Sequence, residues 1–170
     1  MRGIEAEGES VIRTGRKMNN DPTDGSEEVR QLFMKQVPEL ASGVVQIRGI
    51  VRERGFRTMI AVSSTDSAVD PVGSLVGERG IRVKTVVREL WGEKLSGEKI
   101  DIIRWSDFLE EFIGNLLAPA RASRIVLDAA THRATIYASA EERSVITGPK
   151  GTRLRMMSRL VGWELVVADA

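Results

Sequence analysis

Two glycines three apart, set between short helices and written twice in one chain, constrain this sequence more than any other feature. The stretch LVGERGIRVKTVVREL, residues 75–90, places Gly77 and Gly80 directly before Val83, Val86, Val87 and Leu90, which mark one face of a helix. VITGPKGTRLRMMSRLVG, residues 145–162, does the same with Gly148 and Gly151 before Leu154, Met157 and Val161. Setting Gly77 over Gly148 also sets Gly80 over Gly151, Val83 over Leu154 and Val86 over Met157. This is an internal duplication, and it predicts two copies of one supersecondary unit.

The flanking residues repeat as well. VVQIRGIVRE and FRTMIAVSS alternate apolar and polar residues around Arg54-Gly55, as two strands of a tight hairpin do. Asp70 before Pro71 is a helix N-cap followed by the first-turn position where a missing N–H costs nothing, so a short helix runs over 71–77. KIDIIRW supplies a third strand. The second copy opens with the amphipathic FLEEFIGNLL, then has short strands RIVLD and ATIYAS, and a capping-box pair, Ser139 and Glu142, starts its next helix. Gly162 stops the helix after the turn, and WELVVAD closes the copy as a strand. Upstream, Val29, Leu32, Phe33 and Gln36 predict a helix over 26–36 with Ser26 as its cap, ended by Val37-Pro38. Residues before 26, with Asn19-Asn20-Asp21-Pro22 and Asp24-Gly25, read as a flexible arm. The expected division is an arm and helix over 1–42, one unit over 43–105 and a second over 106–170.

A helix N-terminus carries unpaired N–H groups and partial positive charge, and flanking glycines let a phosphodiester approach the backbone. Arg79 in the first turn and Lys150 in the second place a cation there, with Arg82, Lys84 and Arg153 extending it along the helices. Two such turns, each between helices and behind a hairpin, have the architecture of KH domains, whose GXXG loop clamps about four nucleotides of single-stranded nucleic acid. The expected RNA-binding set is Gly77, Glu78, Arg79, Gly80, Arg82, Lys84, Gly148, Lys150, Gly151 and Arg153, with Val76, Ile81 and Ile146 lining an apolar groove beneath the bases.

The segments GFRTMIAVSS, DPVGSLVGERG and KIDIIRW, together with EEFIGNLLAPA and GWELVV, resemble the tandem KH region of the NusA family of bacterial transcription elongation, termination and antitermination factors. The resemblance runs from about residue 32 to 169. It implies an α+β fold of two type II KH domains, each a three-stranded sheet with helices on one face, packed as one body that binds single-stranded RNA. It also implies a setting beside RNA polymerase or other transcription factors; the cytoplasm is expected separately, from the lack of cysteine and the polar start of the chain. Three features depart from the family pattern. The family carries a polymerase-binding domain and an OB-type barrel ahead of the KH pair, of which ESVIRTG would be a remnant. WGEKLSGEKI lengthens the first unit's last loop. Thr147 and Pro149 alter the second turn, and Pro149 removes an N–H that could serve a phosphate.

Composition removes other classes. There is no cysteine and one histidine, His132, which excludes a disulfide framework and leaves zinc chemistry and His-based catalysis without parts. G-x-x-x-x-G-K-[ST], G-x-S-x-G and H-E-x-x-H are all absent. No metal, cofactor or catalytic residue is expected, and no apolar run approaches the ~18 residues that a membrane helix needs. The net charge of +1 balances 25 basic against 24 acidic residues, so any attraction for a polyanion is local. Trp105 and Trp163 are expected in core or interdomain packing, and Trp91 at the surface. Arg48, Arg52, Arg54 and Arg57 fit either an RNA-facing stripe or the wet face of a sheet. The rival function is a protein-interaction module that keeps the KH fold with little or no RNA binding.

Overall fold

The computed structural model describes residues 12–15, 21, 23–92 and 97–170. Asn19, Asn20 and Pro22 of the expected arm, residues 9–11 of ESVIRTG and residues 93–96 of the long loop lie outside these. The first unit runs α1 (Ser26–Gln36), α2 (Pro38–Ala41), β1 (Val45–Glu53), β2 (Arg57–Ser64), α3 (Pro71–Val76), α4 (Ile81–Trp91) and β3 (Lys99–Arg104). The second runs α5 (Leu109–Leu117), β4 (Arg124–Asp128), β5 (Arg133–Ala138), α6 (Ala140–Thr147), α7 (Thr152–Val161) and β6 (Glu164–Asp169). Each sheet has three strands, ordered β1-β2-β3 and β4-β5-β6. In each, the first two strands pair antiparallel as a hairpin, and the third joins the middle strand in parallel after the helix–turn–helix.

The local signals act largely as the sequence predicts. Asp70 accepts from the Val72 N–H with Pro71 at the first helical position, and Ser139 accepts from the Glu142 N–H. The reciprocal half of that capping box is replaced: the Glu142 carboxylate accepts from the Arg121 N–H instead. Gly162 ends α7 in the left-handed conformation. Ser26 is not the cap of α1. Gly25, at φ 83°, occupies that position, and Asp24 Oδ1 accepts from the Ser26 N–H at 2.8 Å. Val37 is extended, as a residue before proline tends to be, and Pro38 opens the short α2.

Packing moves the start of the first unit upstream of 43. Val29 and Phe33 of α1, Val37, and Leu40 of α2 are buried with Val45, Ile50, Ile60, Val62, Leu75 and Val86 in one cluster. A second cluster holds the opposite face of the first sheet, Val51, Met59, Ala61 and Ile103, together with Phe112, Ile113, Met156 and Leu160 of the second unit. The first sheet is therefore the middle of a sandwich, with its own helices on one face and α5 and α7 on the other. Five consecutive buried residues in β2, Thr58 to Val62, follow from this, in place of the expected alternation. Each fully buried aliphatic side chain contributes about 1.5–3 kcal/mol, so the shared cluster welds the two units.

Polar groups finish the weld. The Asp24 carboxylate accepts from the Arg52 N–H at 3.0 Å on β1 and from Arg159 Nη2 at 3.3 Å on α7. Residues 12–14 dock where the units meet: Thr14 N–H donates to Asp107 O, Thr14 Oγ1 to Ser106 O, and Leu109 N–H to Ile12 O. Part of the expected arm is thus bound to the junction.

Candidate nucleic-acid interface

The two glycine turns share one backbone. Gly77 has φ 75° and ψ 170°, Gly148 φ 69° and ψ −178°; Gly80 and Gly151, at φ 74° and 71°, are left-handed. Between them Arg79 (φ 53°) and Lys150 (φ 52°) hold the same left-handed conformation, unfavourable for a residue with a Cβ. The glycine requirement has two causes. A Cβ on Gly77 would lie 2.7 Å from Arg82 Cγ, and one on Gly148 would lie 2.7 Å from Arg153 Cβ, so the following helix already fills that space. At Gly80 and Gly151 the backbone conformation itself selects glycine.

The duplication reaches the side chains. Lys84 Nζ donates to the Arg79 carbonyl at 3.1 Å, and Arg155 Nη1 to the Lys150 carbonyl at 2.7 Å, so each turn has a second cation folded against it. Arg82 Nη1 donates to Ser74 O at 2.7 Å, and Arg153 Nη1 to Val145 O at 3.1 Å, pinning the helix after each turn to the helix before it. Gly77, Glu78, Arg79, Gly80 and Lys84 thus come together in the first turn, and Gly148, Lys150 and Gly151 in the second. Glu78, Arg79, Lys84 and Lys150 are all exposed.

Five expected site residues stand outside the two turns. Arg153 is buried, 6% exposed, and its Nη2 donates to the carbonyls of Leu116, Leu117 and Ala118; burial, with Arg57 nearby, pushes its guanidinium below the ordinary value. Arg82 pairs with Glu39 at 3.0 Å. Both cations brace the turn rather than extend along the helix toward a phosphate, because each guanidinium points back to a carbonyl it must satisfy. Ile146 is fully buried in the shared cluster and lies beneath the groove, not on its surface. Ile81, 61% exposed, faces an open depression on the outer side of α4 with Glu78, Arg79, Lys84, Thr85 and Arg88. Val76 is half-buried at the end of α3.

The sequence reading misses the walls of the grooves. Between α6 and β6 an open groove is lined by Ala140, Arg143, Ser144, Thr147, Val167 and Asp169, and the Arg143–Asp169 ion pair spans it. In the first unit Arg104 of β3 pairs with Asp70 at the head of α3 at 2.7 Å, with acid and base exchanged between helix and strand. The i, i+3, i+4, i+7 spacing of Ala140, Arg143, Ser144 and Thr147 carries the signal for one helix face; the strand partner is visible only once the fold is known.

The arginine cluster does not form one continuous stripe, because its members have separate partners. Arg52, 3% exposed, donates through Nε and Nη2 to Glu98 at 2.8 and 3.1 Å and through Nη1 to Gly25 O and Glu28. Glu98 also accepts from Thr58 Oγ1 and from Trp91 Nε1 at 2.6 Å, which ties Trp91 to the end of the long loop. Burial alone would raise the Glu98 carboxyl; the bonds from Arg52, Thr58 and Trp91 outweigh it and hold the group below its ordinary value. Arg57 pairs with Asp101, Arg54 is exposed and lies against Gly25, and Arg48 stacks on Trp105 at 4.5 Å. Trp105 is 8% exposed and packs on Phe112 across the junction, as expected of an interdomain residue. Exposed His132 meets the half-buried Trp163 edge-on at 5.2 Å.

Helix, hairpin, helix, glycine turn, helix and parallel third strand, repeated, define a pair of tandem KH domains. Residues 24–105 match the NusA-like first KH domain and residues 109–170 the NusA-like second KH domain, and the chain belongs to that NusA-like tandem KH family. It is 41% identical over 138 residues to the transcription termination/antitermination protein NusA of Rickettsia prowazekii (strain Madrid E), covering 79% of this chain and 26% of that protein. It is 37% identical over 142 residues to the protein of the same name from Thermus thermophilus, covering 84% and 35%, and 36% identical over 137 residues to that of Bacillus subtilis, covering 81% and 36%. The chain therefore spans about a quarter to a third of these curated relatives. A crystal structure of APE1850 has the same fold, with a TM-score of 0.56 and 21% identity over 84% of this chain and 97% of that one.

Proposed function

We propose that the chain binds single-stranded RNA across both glycine turns, within bacterial transcription elongation, termination or antitermination in the cytoplasm, beside RNA polymerase. One observation carries the reading: two turns of matching backbone geometry, each at the start of a helix, each presenting a left-handed cation, Arg79 or Lys150, to solvent. Backbone amides at a helix start and a nearby cation are what a phosphodiester needs. The names of the relatives support the transcription setting. The contacts fall to Gly77, Glu78, Arg79, Gly80 and Lys84, and to Gly148, Lys150 and Gly151, while Arg82 and Arg153 hold the turns in shape. No chemical step and no cofactor is part of this function.

Replacing Glu78 and Arg79 together by aspartate puts negative charge where a phosphate must come, in a loop with no buried residue. Expected is loss of most RNA affinity with an unchanged melting temperature; undiminished affinity in the folded variant overturns the assignment. Pro149 favours a second reading, in which the second unit holds protein instead of RNA. Salt separates them: phosphate contacts give a log–log slope of about −0.7 per contact on single strands, and protein contacts need not.

A further inference from the structure

A cavity of about 430 Å³ opens where the two units meet, lined from the first by Arg48, Ser63, Ser64, Asp66, Pro71 and Arg104 and from the second by Ser106, Phe108 and Glu111. Pro71 and Arg104 stand at the end of α3 and β3 away from the first glycine turn, so the cavity lies between that turn and the second unit. Arg48 lines it. Its guanidinium carbon stands over the Trp105 ring, 4.5 Å from the centroid, and among the described residues no carboxylate pairs with it. The indole beneath is itself held, Trp105 Nε1 donating to Asp107 Oδ1 at 3.0 Å. The acids around it are engaged locally: Glu111 accepts from Ser106 Oγ and Asp66 from the Ala68 N–H. Each keeps acceptor capacity, since a carboxylate has two oxygens.

A planar cation seated over an aromatic ring at the wall of a cavity can stack a nucleobase, and a volume of this size suits one nucleotide. The carboxylates argue against a phosphate in the cavity and for a base that brings hydrogen-bond donors. We propose that this junction cavity takes one base of a single-stranded RNA as the strand passes from the first unit to the second, stacked on Arg48 with an exocyclic amine directed at the Asp66 and Glu111 side. The proposal rests on the RNA-binding reading above and adds to it a base-selective site outside both glycine turns.

The test uses the whole chain and a twelve-nucleotide oligoadenylate in which each position in turn is made abasic, or replaced by purine riboside, which lacks the amine. Affinities are compared for the native chain and Arg48→Lys, which keeps the charge and loses the plane. Expected is one position, between two four-nucleotide footprints, where base removal costs the native chain about fivefold or more, as stacking of one base contributes, and costs Arg48→Lys less than about twofold. Purine riboside at that position weakens the native chain in the same direction. The proposal is overturned if the two chains give the same abasic profile, or if purine riboside has no effect there while RNA binding still depends on Arg79. Loss of RNA binding altogether, insensitive to Arg79, overturns the parent reading along with it. Melting temperatures of the two chains are measured alongside, and Glu111→Gln, an exposed position, gives an independent variant that should lose the preference for adenosine over purine riboside.

Discussion

The two units share a turn but not a surrounding. The sheet of the first is dry on both faces, and β2 is buried continuously from Thr58 to Val62. The sheet of the second is covered on one: in β5, Ala134, Ile136 and Ala138 are buried while Thr135 and Tyr137 face outward. The helices reverse this. In α1 only Ser26, Val29 and Phe33 are buried, whereas α5 buries Leu109, Phe112, Ile113, Leu116 and Leu117, serving both its own sheet and its neighbour's. Duplication conserves the part that must present a fixed backbone and lets the rest diverge until two separate cores have become one and a half.

The largest effect that can break this comparison is in the shared cluster. Phe112→Ala should cost about 3–5 kcal/mol, as truncation of a buried phenylalanine does, and should lower both units together. The check is denaturant unfolding followed by tryptophan fluorescence and far-ultraviolet dichroism; two separate transitions would show that the units are not joined as described. Next come the braces. Arg153→Met removes charged donors from four carbonyls in a buried place and should cost about 1.5–3 kcal/mol, while Arg82→Met, half exposed, should cost clearly less. Equal losses in thermal melts would contradict the asymmetry. On the proposed RNA-binding reading a smaller difference separates the turns: Arg79→Asp should weaken RNA binding more than Lys150→Asp, by about 1 kcal/mol, one hydrogen bond, because Pro149 offers no N–H. Titration of each variant with one RNA of about eight nucleotides reads it directly.

Acid provides the gentlest probe. The Glu98 carboxyl is lowered in the folded chain, so the stability it contributes is present above the unfolded carboxylate range, near 4.5, and is lost as pH falls through the lower folded value. The second unit has no such buried pair among the described residues. Stability measured from pH 7 downward should therefore fall near the bottom of that range in the native chain, and Glu98→Gln should flatten the fall.

The turns were legible in the sequence because their requirements are local: a left-handed backbone, a following helix, a preceding hairpin. Asp70-Pro71, Ser139 and Gly162 announced their elements for the same reason. What is not legible is the identity of most partners set by contact across distance; Trp105 at the junction is an exception. Arg82 and Arg153 look like phosphate ligands in one dimension, and their true partners, Ser74, Val145 and the end of α5, become neighbours only through the fold. Arg52 and Glu98 are likewise apart in the chain and together in space. The alternation expected in β2 presumes one wet face, and the second unit covers that face. The start of the first unit at α1 was missed because Val29 and Phe33 need β1 and α4 before they count as core.

Asp24 gathers three elements on one carboxylate, α1, β1 and α7, and the last belongs to the other unit. Together with the shared cluster this ties the two units, and so the separation of their glycine turns, to one packed frame. On the proposed reading, a strand that engaged both would be gauged as by a caliper: one whose phosphates fall at that separation would fit without adjustment, and one that is folded, paired or too short would have to be straightened or left half held. Selection by spacing would then come from the frame itself, with no side chain assigned to it.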